Sequence, residues 1–201
     1  MIVHVPDPLT PPLKFNTVQP DLYRGAYPRE VNFEFLRTLN LKTVISLTPH
    51  PVTEESDRRF YEFCQKENIK LVHLECAKSG KGKKRGVPLG YTTILDALNY
   101  VIHKQHAPVY VHCINGSQVT SLVIACLRKL QFWSSIAIFN EFISFATNIT
   151  VNDRNFVEGF KGELNINFDD KVDWLWVGMS KGVVENHPRL RITDVAPRAH
   201  Q

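Results

Sequence analysis

Cysteine is scarce in this sequence. Cys64, Cys76, Cys113 and Cys126 are its four examples in 201 residues, and they form neither a C-x-x-C pair nor a set with metal-ligand spacing. A disulfide scaffold and a zinc module are thereby excluded, no metal or other cofactor is expected, and a reducing, cytoplasmic setting is favoured. No signal peptide opens the chain. Long apolar runs are missing too: nothing approaches the roughly 18 residues needed to span a bilayer, so no membrane partner is expected. The triplets Asn115-Gly116-Ser117 and Asn148-Ile149-Thr150 then carry little weight as glycosylation sites.

Carboxylates are locally absent. None lies between Glu75 and Asp96, while Lys78, Lys81, Lys83, Lys84 and Arg85 fall inside that gap. With 24 Lys and Arg against 20 Asp and Glu, the net charge of +4 resides in this one segment, and the rest of the chain is essentially neutral. Such a block is solvated, or acts as an electrostatic funnel if an anion site lies beside it. No nucleic-acid partner is expected. At 43% hydrophobic and 22% charged residues, the chain has the composition of a soluble globular domain with room for a full core.

The present features alternate in kind. Residues 1–10 read as an extended, proline-rich lead-in. Phe15 to Val18 and Leu22 to Arg24 read as short strands, Lys42 to Leu47, Ile69 to Leu74 and Val109 to His112 as buried strands. Between and after them, helices are expected at Glu30 to Leu39, Glu54 to Glu67, Pro88 to His103, Thr120 to Leu130, Ser134 to Ala146 and Asp153 to Phe160. Strands alternating with helices predict an α/β fold with a central, mostly parallel sheet flanked by helices. Residues 11–165 form the expected domain and 166–201 a C-terminal extension, partly packed through Val172, Trp174 and Trp176 and loose from 181 onward. Trp133 and these two tryptophans read as packing residues.

The chemistry is concentrated in Val111-His112-Cys113-Ile114-Asn115-Gly116-Ser117-Gln118-Val119-Thr120-Ser121, between a buried strand and a buried helix. Loop N–H groups and a helix N-terminus converge there into an anion cradle, with Ile114, Asn115, Gly116, Ser117, Gln118, Val119 and Thr120 as the phosphate-binding loop. A cysteine at the mouth of such a loop is a candidate nucleophile, because the same field favours its thiolate. That field also makes Cys113 a candidate redox-sensitive thiol. His112 is expected to organise the loop through hydrogen bonds.

Four stretches occur in series: Pro11-Pro12-Leu13-Lys14-Phe15, Leu22-Tyr23-Arg24-Gly25-Ala26-Tyr27-Pro28, Leu47-Thr48-Pro49-His50-Pro51 and Val111-His112-Cys113. In these the chain resembles the plant and fungal atypical dual-specificity phosphatases, and within them the fungal oxidant-induced cell-cycle arrest family of tyrosine-protein phosphatases, over residues 11–165. The resemblance implies the cysteine-phosphatase fold and a phosphorylated protein or an inositol pyrophosphate as ligand. It also implies a hetero-complex with related phosphatase-like proteins. Arg24, within the Tyr-Arg-Gly-Ala-Tyr-Pro run, reads as a structural residue that ties the N-terminal segment to the core rather than as a substrate-binding one.

Against that family's pattern of His-Cys, five residues and Arg followed by Thr or Ser, this chain has Cys113 and Thr120 but Val119 in place of the arginine. Where relatives place an aspartate as general acid it has Val87-Pro88-Leu89-Gly90-Tyr91; Asp96 falls inside the next helix, and Glu75 would serve only if its loop folded over the site. A phosphate-clamping arginine is worth on the order of 10³ to 10⁵ in rate, and a positioned acid about 10² to 10⁴, without the two multiplying. The expectation is a pseudophosphatase that binds or scaffolds. The alternative is an active cysteine phosphatase in which the basic segment substitutes for the arginine.

Overall fold

The computed structural model describes residues 9–77 and 86–195. The basic segment Lys78, Lys81, Lys83, Lys84 and Arg85 lies outside the described residues. Asn16–Gln19 (β1) and Leu22–Ala26 (β2) form an antiparallel hairpin around Asp21, whose φ of 60° supplies the tight turn. Thr43–Thr48 (β3), Lys70–Glu75 (β4) and Val109–Cys113 (β5) complete a sheet of order β1-β2-β5-β3-β4, parallel everywhere except at β1.

Alternation along the strands sorts side chains into two cores. Val109, Val111 and Cys113 of β5, with Ile45 and Leu47 of β3, enter the larger one. There they meet Tyr91–Val101 (α3), Gln118–Leu130 (α4), Ser135–Phe145 (α5) and Val151–Glu158 (α6) through Ile94, Leu98, Leu122, Val123, Phe142 and Val157. Tyr110 and Val44 point the other way, to Phe33–Arg37 (α1) and Arg58–Lys66 (α2), where Leu36, Phe60, Phe63 and Cys64 close a second core. The sheet is therefore covered on both faces, as parallel strands require. β5, its central strand, is buried at every residue.

Three expectations are corrected. The helix foreseen at Glu54 to Glu67 begins at Arg58, because Asp57 caps it through Phe60 N–H at 3.1 Å while Thr53 and Ser56 hold the preceding residues in a hydrogen-bonded turn. The segment from Glu30 is a 3₁₀ turn, Glu30–Asn32, before α1 proper. Residues 181–195, foreseen as loose, carry Lys181–Glu185 (α7) and Leu190–Asp194 (β7), and β7 pairs in parallel with Gly162–Ile166 (β6). Val184, Leu190 and Ile192 are buried there, and Trp176 Nε1 donates to Leu130 O at 2.9 Å, so the extension belongs to the main core.

All four cysteines are free, and no group of metal-ligating side chains occurs among the described residues. No helix among them is long and apolar enough to cross a membrane.

Candidate active site

β5 ends at Cys113, at the carboxyl edge of the central strand, and α4 begins at Gln118. In open α/β sheets that edge is where ligands bind. Between them the chain turns through Gly116, whose φ is +66° and where a Cβ would fall 2.7 Å from the backbone of Gly25 and Ala26. Only glycine fits so close to β2 in that conformation. α4, like α1 and α3, has no side-chain cap, whereas Asp57, Ser134, Thr150 and Ser180 cap α2, α5, α6 and α7. The first-turn N–H groups of α4 are thus left to whatever meets the loop.

Position 119 is filled by a valine that is buried against the larger core, with Thr120 and Ser121 behind it. Thr120 Oγ1 is buried and has no partner among the described residues. Gln118 donates to Asp153 Oδ1 at 2.6 Å, and the other carboxylate oxygen of this fully buried aspartate accepts from Thr150 N and Oγ1. Ile114 and Asn115 are exposed. They border a cleft of about 710 Å³ with Leu13, Tyr27, Arg29 and Val31. Asn115 Oδ1 accepts from Ser117 N–H at 3.0 Å and from Cys113 Sγ at 3.7 Å.

Among the described residues, the cations that reach the loop come from the N-terminal segment. Parallel pairing sets Arg24 beside Val111, and Nη2 donates to Gly116 O at 3.1 Å and Ser121 Oγ at 2.7 Å. The guanidinium lies 3.8 Å from the Phe145 ring centroid. Its exposure is 1%, and Nε and Nη1 have no partner among the described residues. Burial pushes Arg24 down to about 10, against the pull of Glu141 and Cys113. Lys14, at φ 56°, donates to Phe145 O at 2.7 Å and also to Ser117 Oγ.

His112 is fully buried, packed edge-on to Tyr27 and within 2.7 Å of Ser46 Oγ through Nε2. Burial pushes it down to about 4, so it is neutral at physiological pH. Cys76, on a loop after β4, is held at about 11 by burial and by Cys113 nearby, and burial holds Cys64 at about 12. Asp96 lies in α3 and faces a separate cavity of about 470 Å³ with Lys70, His73, Tyr100 and His106, to which the 113–120 loop contributes nothing. Glu75 ends β4, exposed. Leu89 is buried ahead of α3, and no carboxylate occurs among residues 86–91.

The loop is legible in the sequence, Arg24 is located there without its contacts, and Lys14 and Asp153 are not recognisable there as its partners. Lys14 and the unpaired face of Arg24 depend on the hairpin meeting β5 in register, which no local pattern announces. Asp153 was read as a helix residue, although Thr150 three residues before it, the signature of a capping box, marked it as a group turned back on its own helix start.

The model of the tyrosine phosphatase family matches residues 9–179 of the chain. The chain is 41% identical over 199 residues to "Putative tyrosine-protein phosphatase OCA6" of Saccharomyces cerevisiae, covering 92% of itself and 88% of the yeast protein. It is 35% identical to "Inositol diphosphatase DSP3" of Arabidopsis thaliana, over 78% and 74% of the two chains. Among solved structures it resembles the core catalytic domain of the PP-IP phosphatase Siw14 from S. cerevisiae, crystallised with citrate. The TM-score is 0.66 at 31% identity, covering 77% of this chain and 89% of that one.

Proposed function

The chain belongs to the tyrosine phosphatase family, and from that premise we propose that it is a phosphate-binding member whose hydrolysis is reduced to a residual rate. In this reading Cys113 stands at the nucleophile position and residues 114–120 are the phosphate loop. One observation carries the reading: Val119, a buried apolar side chain, lies in the first turn of α4, whose N-terminus no side chain caps. Main-chain donors and helix dipole remain for an anion. The planar fork that would aim a phosphoryl group at Cys113 and spread its charge does not.

Neither described cation at the loop takes over that task. Arg24 spends Nη2 on Gly116 O and Ser121 Oγ and lies buried under the loop, while Lys14 is tied to Phe145 O and Ser117 Oγ. The acid position is empty of carboxylates, with Asp96 facing another cavity. What is left is recognition of a phosphorylated protein or inositol pyrophosphate, and assembly with related phosphatase-like chains. The four free thiols support a reducing, cytoplasmic location.

The test is a paired assay of the natural protein and Val119→Arg on p-nitrophenyl phosphate, a phosphotyrosine peptide and an inositol pyrophosphate. Restoring the arginine is expected to raise turnover by roughly 10³-fold or more, and Cys113→Ser to abolish the gain. Equal turnover of the two proteins, lost in Cys113→Ser, would overturn the reading and establish an active phosphatase of unusual design. Retention of related phosphatase-like chains by the tagged natural protein, unchanged in Cys113→Ser, is the corresponding result for a scaffold.

A further inference from the structure

We propose that the Asn115 carboxamide is the loop's own stopper, seated where an oxygen of a bound phosphate would be held. This rests on reading the 113–120 loop as an anion cradle. A phosphate in such a loop is held by main-chain N–H groups, each of which can serve one acceptor well. Here the Ser117 N–H, one residue before α4, is already given to Asn115 Oδ1 at 3.0 Å. The same oxygen lies 3.7 Å from Cys113 Sγ and accepts from it. One neutral oxygen thus bridges the thiol and a loop N–H, the two groups that an anion and a thiolate would otherwise share.

The bridge has a chemical sign. An amide oxygen can only accept, so its contact is one that the thiol S–H of Cys113 can make and a thiolate cannot. A thiolate in the same position would face a lone pair and lose the N–H donor that Asn115 has taken. Around this bridge the site is short of acceptors: Nε and Nη1 of the buried Arg24 and the hydroxyl of Thr120 are unpaired among the described residues. A buried guanidinium with idle donors favours an anion within reach. Asn115 itself is exposed, so its side chain can rotate outward without unpacking a core. Anion binding and thiol activation are then one event, the release of Oδ1.

The experiment reads the alkylation rate of Cys113 by iodoacetamide, with and without inorganic phosphate, by mass spectrometry of the intact fold. Wild type, Asn115→Ala, Asn115→Asp and Val119→Arg are compared. Asn115→Ala is expected to alkylate about 3- to 10-fold faster and to be protected by about 3- to 10-fold less phosphate, the worth of one neutral hydrogen bond. Asn115→Asp, which seats a negative charge in the cradle, is expected to move both quantities the other way. If Asn115→Ala matches wild type while Val119→Arg binds phosphate, the stopper is wrong and the cradle stands. If no variant, Val119→Arg included, is protected by phosphate, the cradle reading fails and the proposal falls with it. Thermal melting of each variant separates these outcomes from misfolding.

Discussion

A buried arginine stands at each end of α4, and the two are treated in opposite ways. Arg128, in the last turn, pairs with both oxygens of Glu141 at 2.8 and 2.9 Å, donates to Gln131 Oε1 and Val18 O, and lies 4.2 Å from the Trp133 ring centroid. Arg24, under the first turn, also lies against an aromatic ring, Phe145, but among the described residues it has no carboxylate in contact and two nitrogens without a partner. A paired, fully bonded buried charge is a structural element. An underserved one, beside main-chain donors and a cysteine, is the charge that the proposed anion site would use. The far end of α4 is a joint between α4, α5 and the β1 hairpin. The near end has no such joint, and the proposed reading puts the anion there.

The sharpest way to break this contrast is at the joint. Arg128→Met strands Glu141, whose side chain is 22% exposed, without its partner. The cost is expected at about 3 kcal/mol, the low end for a broken buried pair, read as a shift in urea midpoint, with phosphate protection of Cys113 unchanged. At the loop end the comparable liability is His112. Its folded value near 4 lies below the unfolded 6.5, so between those pH values the unfolded chain binds more protons. Stability should therefore rise with pH from 4 to 6.5, by roughly 3 kcal/mol in all, and then level off. His112→Gln should flatten this slope; an unchanged slope would assign it to other groups, the partly buried His106 and His187 and the carboxylates among them.

The two ends were also unequally legible in the sequence. Val109 to Cys113 and the α4 run are continuous apolar stretches of the right lengths, so the strand, the helix and the loop between them could be read from periodicity, and Val119 from its spacing to Cys113. Arg24 could be located but not understood. Its contacts depend on β2 lying parallel to β5, and an arginine in a strand looks the same whether its donors are satisfied or idle. Asn115 is opaque for a related reason: a two-residue reach from Oδ1 to Ser117 N–H depends on the Gly116 turn. β6 and β7 escape because a parallel pair is joined through distant chain, here residues 167–189, and each strand carries only two apolar residues, Leu164 and Ile166 in one and Leu190 and Ile192 in the other.

Arg24→Met probes the same contrast with a smaller structural effect. It removes two hydrogen bonds but also a buried charge that no carboxylate contacts, so the stability loss is expected at about 1–2 kcal/mol, well below that of Arg128→Met. Phosphate protection of Cys113 should weaken about tenfold, the scale of a charged hydrogen bond. Equal costs for the two arginines would erase the distinction.

The smallest effect is expected at Lys14, and here two substitutions separate backbone from side chain. Its ammonium bonds Phe145 O at the carboxyl end of α5, next to the ring that covers Arg24, so the residue steadies the loop end and leaves the Arg128 joint alone. Its φ of 56°, however, is one that a non-glycine residue adopts at a cost. Lys14→Ala keeps the cost and loses the ammonium's bonds to Phe145 O and Ser117 Oγ, for an expected loss of about 1 kcal/mol. Lys14→Gly loses the same bonds and relieves the backbone by a similar amount, about 0.5–1 kcal/mol, leaving stability near wild type by urea denaturation. If both variants fell equally, the ammonium would be the whole of the contribution. If both fell by as much as Arg128→Met, the loop end would be as firmly built as the joint, and its idle donors would no longer set it apart.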